Sequence, residues 1–417
     1  MKKYDIIIIG AGIAGLYSGI QLLKKYPHFN IIILEKYNYI GGRVVSYSKD
    51  ISDIGTVSWE NGAGRIYKSH KIIQELLKQY AIDTVGLSDE SQFIGPSEDA
   101  NIHFEDIIKL YIQPLSMLPI STLQTNTLYS LFKEIYGIKE TQRLFERFPY
   151  YTEVHILRAD IALEQFKNEM GTLANYYVCK NGLSTLINAM ANEFRSRGGV
   201  IELDSSVINI NKELSSEFRV HTSNNKFHCR KVICTIPVAS IRKLQIFSNW
   251  LPINYLKMMP LLRIYMVFPK DKRGNIWFKD IPKTITNNKL RYIIPINAVK
   301  GSIMVSYTDG VYTKEWMKYV NAKEYDKLSA KLLSELRSLF PDCDIPVPVF
   351  MKAHPWYDGT TAWLPGKYDI KKVYNDILKG PIKGIYVCGE SYSFRQAWME
   401  GALESVNDML QKIYNDI

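Results

Sequence analysis

Cysteine is scarce in this chain. There are five, Cys179, Cys229, Cys234, Cys343 and Cys388, odd in number and without a CxxC pair. That fits free thiols in a reducing compartment better than a disulfide framework. His221, His228, Cys229 and Cys234 lie close together, yet their spacing matches no common zinc finger. In a strand, the neighbours His228 and Cys229 would also face opposite ways, so no metal is expected. Long apolar runs are missing as well: nothing approaches the roughly 18 uninterrupted residues of a membrane span. The opening MKKYDIIIIGAGIAGLYSGIQLLKK imitates a secretion signal, but Asp5 interrupts it and glycines punctuate it. A cytoplasmic protein is the expectation.

Blocks of like charge are also lacking, although the net charge is +10. The basic residues fall in short clusters such as Lys270, Lys272, Arg273 and Lys367, Lys371, Lys372, which read as solvated faces. Nucleic acid is not expected as the main partner. There is no low-complexity tract and no internal repeat. What remains is an ordinary globular composition, 46% apolar and 23% charged, in 417 residues. That length suggests about two to three domains.

The N-terminus carries the strongest local signal. YDIIII is short, apolar and β-branched, the pattern of a buried parallel strand. It runs into Gly10-Ala11-Gly12-Ile13-Ala14-Gly15 and then a helical stretch with Leu16, Ile20 and Leu23 on one face. Glycines in that spacing allow a tight turn, close approach of a pyrophosphate and close strand–helix packing. The phosphates then meet free N–H groups at the helix start. A second apolar strand, IIILE, ends in Glu35, followed by Lys36, where an acid can bind ribose hydroxyls.

NAD and FAD share this cradle, so other features must distinguish them. YIGGRVV follows at once, and its Gly41, Gly42 and Arg43 could add a cation to the cofactor phosphates. At the far end, GIYVCGES reads as a short strand ending in Gly389-Glu390, and AWMEGALESVNDML opens a helix. An acid beside a glycine can hydrogen-bond a sugar-alcohol chain, and a helix N-terminus favours negative charge on a ring carbonyl.

Together these segments resemble the flavin amine oxidase family: monoamine oxidases, polyamine oxidases and L-amino acid oxidases. The resemblance is specific at 5–67, 198–237 and 384–406. It implies an α/β protein whose Rossmann-type FAD-binding domain, of the glutathione-reductase-like class, is interleaved with an α+β substrate domain. Segments 1–70, 195–245 and 355–417 would form the former; a helical 71–194 and a sheet-bearing 246–354 would form the latter. It also implies FAD contacts from Gly10, Gly12, Ile13, Ala14, Gly15, Glu35 and Lys36 at the ADP end. Gly42 and Arg43 lie on the diphosphate side, and Gly62, Ala63, Gly64 and Arg65 beside them. Val207 matches the adenine-binding strand, while Gly389, Glu390, Ala397, Trp398 and Met399 match the ribityl and ring contacts.

Within the family, an arginine in a stretch like ENGAGRI, here Arg65, resembles the L-amino acid oxidase branch, where it pairs with the substrate carboxylate. A planar fork of two N–H donors suits a carboxylate. Tyr307 in VSYTDG matches a tyrosine hydroxyl on the same carboxylate, and Trp398 an aromatic wall facing the flavin. The implied reaction moves a hydride from the amine-bearing carbon to flavin N5. Dioxygen then regenerates the flavin as hydrogen peroxide forms, and water turns the imine into a 2-oxo acid and ammonia. A dry aromatic pocket would favour the neutral amine, and no general acid–base pair is required.

Four positions depart from the family pattern. Arg263 stands where a water-holding lysine is usual. Thr360 replaces the attachment cysteine of monoamine oxidases, so FAD should be non-covalent. Thr361 replaces a tyrosine wall, with Trp363 close by in sequence, and Ala397 replaces a glycine. Three readings therefore compete with an L-amino acid oxidase: a monoamine or polyamine oxidase with Arg65 structural, a flavin-binding scaffold, and a desaturase or protoporphyrinogen-oxidase-like enzyme. A homodimer is a family-level expectation.

Overall fold

The structure, a computed structural model, describes residues 3–88, 90–95, 104–169, 176–214 and 217–416. Its first sheet has seven strands, in the order Val207–Lys212, Phe218–Thr222, Lys226–Cys234, Lys3–Ile9, Ile31–Leu34, Val200–Glu202, with Ile385–Val387 also paired to Lys226–Cys234. The strands around Lys3–Ile9 run parallel. Parallel strands are covered on both faces, and Ile6 to Ile9 and Ile31 to Leu34 are all buried. Each such side chain contributes about 2 kcal/mol of hydrophobic stabilisation. The helices Ile13–Lys25, Ser184–Ser196 and Met399–Tyr414 pack together over this sheet.

A second sheet has six strands: Phe350–Trp363, Leu256–Val267, Ser302–Asp309, Tyr292–Asn297, Lys283–Thr286 and Ser91–Ile94. The long strand Phe350–Trp363 belongs to it along its whole length, so it straddles residue 355. The helices Lys314–Ala322 and Tyr325–Leu339 bury Trp316, Leu328, Leu332 and Leu336 against this sheet. A three-stranded sheet, Ile66–Tyr67, Tyr176–Cys179 and Thr84–Gly86, lies where the chain passes from cradle to helices. Helical periodicity in HKIIQELLKQYAI and ADIALEQFKNEMG corresponds to Lys71–Gln79 and Ala159–Glu169. All five cysteines are unpaired. Among the described residues, no helix is long and apolar enough to cross a membrane.

Register sets one feature of consequence. In the six-stranded sheet His354, Arg263, Tyr307 and Tyr292 are direct partners across adjacent strands. Directly opposed residues share a face, so this row projects its side chains together.

His354 at one end of the row is buried and accepts a hydrogen bond from Trp59 Nε1 at 2.9 Å. Burial, aided by Lys352 and Arg263, pulls its pKa down to about 3. A histidine depressed below its unfolded value contributes stability above pH 6.5 that is lost as pH falls from there toward 3. We expect denaturant stability to drop between pH 6.5 and pH 4, at up to about 1.4 kcal/mol per pH unit from this group. His354→Leu, assayed by urea titration across that range, should flatten the slope; an unchanged slope would show that other groups carry it.

Candidate active site

The cradle is built by the turn from Lys3–Ile9 into Ile13–Lys25. Gly10 has φ of +103°, in the left-handed region open to glycine. At Gly15 a Cβ would stand 1.9 Å from the Gly10 carbonyl oxygen, so only glycine lets helix and strand touch. Gly12 is the N-cap and supplies no side-chain cap, and no acid sits in the first helical turn. The helix start is therefore a positive dipole end without a side-chain cap.

Across from it, a Cβ on Gly42 would meet Gly12 Cα at 3.7 Å, and on Gly12 would reach only the Gly41 carbonyl oxygen, at 3.8 Å. This is a backbone-walled slot that a side chain would fill. Glu35, buried at its rim, accepts from Ala11 N at 2.8 Å and Tyr37 N at 3.0 Å. Ser205 N donates to the Glu35 carbonyl at 2.7 Å, which brings the start of the Val207–Lys212 strand beside it. Ile13 and Ala14 are buried at the helix start. Lys36 is exposed, its Nζ lying 4.3 Å from the Tyr37 ring centroid.

Further along, Arg43 Nη1 donates to Glu390 Oε2 at 2.6 Å and to the Gly359 carbonyl at 3.0 Å. Glu390 also accepts from Ala397 N at 2.8 Å and Thr361 N at 3.2 Å. One carboxylate thus joins the cradle, the Phe350–Trp363 strand and the loop before the last helix. Removing it with Glu390→Ala would strand a partly buried arginine, and we expect a loss of about 3 kcal/mol in a urea titration. A loss under about 1 kcal/mol would mean that Arg43 relaxes to solvent. Gly389 beside it has φ of +126° and donates to Ser405 Oγ. Thr361 lends its hydroxyl to Ser391 at 2.8 Å and to Glu390. Trp363 is fully buried with Nε1 on the Ser393 carbonyl. Both side chains are buried. The Thr360 hydroxyl is buried without a partner among the described residues.

Trp398 caps the Met399–Tyr414 helix without a side-chain hydrogen bond. Glu400 in its first turn is committed to Ile72 N at 2.8 Å and Ile73 N at 3.0 Å. Met399 is buried, and Ala397, at φ +67°, is exposed in the left-handed conformation where glycine is the usual residue.

Arg65 follows the turn Gly62-Ala63-Gly64. Ala63 N donates to the Arg43 carbonyl at 3.0 Å, tying this turn to the cradle. The Arg65 guanidinium sits 5.7 Å from the Tyr150 ring, 5.2 Å from Tyr176 and 6.0 Å from Trp398. Its Nη2 donates to Tyr150 Oη at 2.7 Å. Tyr150 in turn meets Tyr307 edge-on at 5.7 Å and Tyr292 at 6.3 Å. Arg263 lies 5.2 Å from the Tyr307 ring, with Nη1 on the Glu60 carbonyl at 3.3 Å. Burial pushes the Tyr292 and Tyr307 phenols well up, so both keep their protons. Trp398 stacks on Tyr176 at 6.2 Å.

Arg65, Arg263, Tyr307 and Trp398 are therefore neighbours in one aromatic cluster, linked through Tyr150 and Tyr176. Those two tyrosines and Tyr292 are absent from the sequence reading. They stand in FPYYTE, NYYVC and LRYIIP, and nothing in those strings marks one tyrosine above the next.

An α/β sheet with a glycine-walled slot at its first strand–helix turn is an architecture shared with dinucleotide-binding proteins. The chain belongs to the family of flavin-containing amine oxidoreductases, whose family model matches residues 13–406. An uncharacterized protein, R188, of Acanthamoeba polyphaga mimivirus is 22% identical over 99% of this chain and 94% of its own length. Among solved structures, a putrescine oxidase variant with redesigned cofactor binding aligns at a TM-score of 0.78 and 12% identity, covering 100% and 99% of the two chains. Cyclohexylamine oxidase from Brevibacterium oxydans IH-35A gives 0.75 and 14%, covering 99% and 100%. An Exiguobacterium sp. 255-15 protein described as a protoporphyrinogen oxidase gives 0.74 and 15%, covering both chains fully. At these identities the structural likeness speaks for the fold alone.

Proposed function

We propose that this chain is an FAD-dependent oxidase of L-amino acids, with FAD held non-covalently. The observation that carries the reading is the Arg65 fork. Its surroundings are phenols and an indole, and among the described residues no carboxylate pairs with it. A guanidinium kept in an aromatic chamber without a counterion is matched by an anion that arrives with the substrate.

The cradle suits the cofactor's polar parts. Gly10, Gly12, Gly15 and Gly42 leave room for the diphosphate, Glu35 stands at the ribose end, and Val207 is beside it for adenine. Arg43 and Glu390, already paired, would hold the diphosphate and ribityl side. Thr360 offers no nucleophile for a thioether bond. When bound, FAD would supply the hydride acceptor for the amine-bearing carbon and a route for the electrons to dioxygen, with hydrogen peroxide as the product.

The remaining work falls to this chain. Arg65 and Tyr307 fix the carboxylate, and thereby which face of Cα is presented. Trp398 and Tyr176 wall the chamber and exclude water, which favours the uncharged amine. Arg263, bulkier than a lysine, holds its charge beside Tyr307. We take segments 1–70, 195–245 and 355–417 as the cofactor half and the rest as the substrate half.

A second reading, an oxidase of simple amines or polyamines, draws support from the fold shared with putrescine and cyclohexylamine oxidases. Anaerobic mixing of the purified yellow protein with pooled L-amino acids, and separately with pooled amines, tests both. Bleaching of the flavin absorbance by amino acids alone is expected. Bleaching by amines alone would make Arg65 structural, and no bleaching by either would end the oxidase reading.

A further inference from the structure

Tyr150 lies in the stretch where the sequence offers no motif, yet the fold holds it with unusual care. On its N-terminal side, Arg291 Nη2 donates to the Phe148 carbonyl at 2.7 Å and the Glu146 carbonyl at 3.2 Å. On its C-terminal side, Asp309 accepts from Tyr151 N at 2.7 Å, Thr152 N at 2.8 Å and Thr152 Oγ1 at 2.6 Å. Both clamps are buried charged side chains. Arg291 immediately precedes Tyr292, and Asp309 is two residues beyond Tyr307. The two strands that carry Tyr292 and Tyr307 therefore also grip the chain on either side of Tyr150. Burying two charges is costly, and here it fixes one loop residue against a ladder.

The result is a phenol with a hydrogen to spare. Arg65 Nη2 donates to the Tyr150 oxygen at 2.7 Å. A phenol oxygen that accepts still has its own O–H to give. No acceptor for that hydrogen is found among the described residues. An O–H whose oxygen already accepts from a cation is polarised into a stronger donor. Among the described residues, the other guanidinium N–H groups of Arg65 have no hydrogen-bond partner either. Two adjacent groups thus have donors to spare and, among the described residues, no acceptor for them.

Resting on the amino acid reading above, we propose that Tyr150 is a specificity-determining residue: its O–H donates to the substrate carboxylate beside the Arg65 fork. The clamps formed by Arg291 and Asp309 are positioning residues that hold it there. The site then discriminates by charge and shape. An amine without the carboxylate leaves a polarised O–H and a guanidinium unsatisfied, which disfavours it.

The test uses the flavin-loaded protein, Tyr150→Phe, and benzoate as a carboxylate probe lacking the amine. Titration calorimetry should show benzoate binding to the wild type and a loss of about tenfold or more in Tyr150→Phe. Flavin content and melting temperature should be unchanged, since only an oxygen is removed. With amino acids the effect should fall on KM more than on kcat, as for a contact made equally in ground and transition states. Equal benzoate affinity in the two proteins, with the wild type reduced by amino acids, would overturn the role of Tyr150 alone. A wild type that neither binds benzoate nor is reduced by amino acids would overturn the carboxylate reading and this inference together.

Discussion

Arg65→Ala is expected to lower kcat/KM for L-amino acids by roughly a hundredfold to several thousandfold while the protein stays yellow. The argument is one of unmatched charge. In the proposed complex the substrate carboxylate would be taken from water to the cluster of Tyr150, Tyr176, Tyr307 and Trp398, with the guanidinium as its counterion. Removing one member of such a desolvated pair costs about 3–5 kcal/mol, because the survivor is left unpaired. At about 1.4 kcal/mol per tenfold, this gives the stated range. The cofactor contacts proposed for Gly12, Gly42, Arg43 and Glu390 are untouched, so flavin absorbance per protein should hold. Steady-state kinetics with amino acids, alongside a flavin-to-protein absorbance ratio, checks both halves. An unchanged kcat/KM for amino acids would remove Arg65 from the site.

Gly12→Val should give the opposite phenotype: a folded protein without colour. Gly12 has φ of −74° and ψ of 179°, an extended conformation open to any residue. Its Cβ would meet nothing nearer than 3.8 Å. The fold can therefore take the substitution, with a stability change of about 1 kcal/mol or less. The slot cannot, because valine would stand between the helix N-terminus and Gly42, where the diphosphate is proposed to lie. We expect at least about a hundredfold weaker flavin binding, measured by fluorescence titration of the apoprotein. Gly15→Ala is the contrast: its Cβ would lie 1.9 Å from a carbonyl oxygen, so it should unfold the cradle rather than empty it. A yellow Gly12→Val protein would move the cofactor elsewhere.

The two halves of the site differ in how far the sequence reveals them. The cradle is largely local: strand, glycine turn and helix follow within Lys3–Lys25, and Gly15 answers to the Gly10 carbonyl, although Gly10 and Gly12 face Thr235, Ile236 and Gly41. Short-range chemistry of this kind is written in consecutive letters. The chamber is not. Tyr150 and Tyr176 are distinguished from Tyr151 and Tyr177 only by which way a loop and a short strand present them, and that depends on distant clamps. Arg263, Tyr307 and Trp398 became visible only through their likeness to a family pattern. Thr361 shows the limit of that likeness, since its hydroxyl turns inward to Ser391 and Glu390. The pairing of Arg43 with Glu390 joins residues 347 positions apart, and no spacing rule connects them.

The cross-strand row of His354, Arg263, Tyr307 and Tyr292 also bears on how such a chamber can diversify. Each member holds a fixed place on the ladder, so a point substitution there alters chemistry at the same register. Insertions and deletions act differently. Because side chains alternate, losing one residue from Leu256–Val267 upstream of Arg263 would turn that arginine to the opposite face and bring its neighbour inward. Descendants of this chain should accordingly vary these four positions in identity while keeping the lengths of the strands that carry them, and should confine length changes to the loops between.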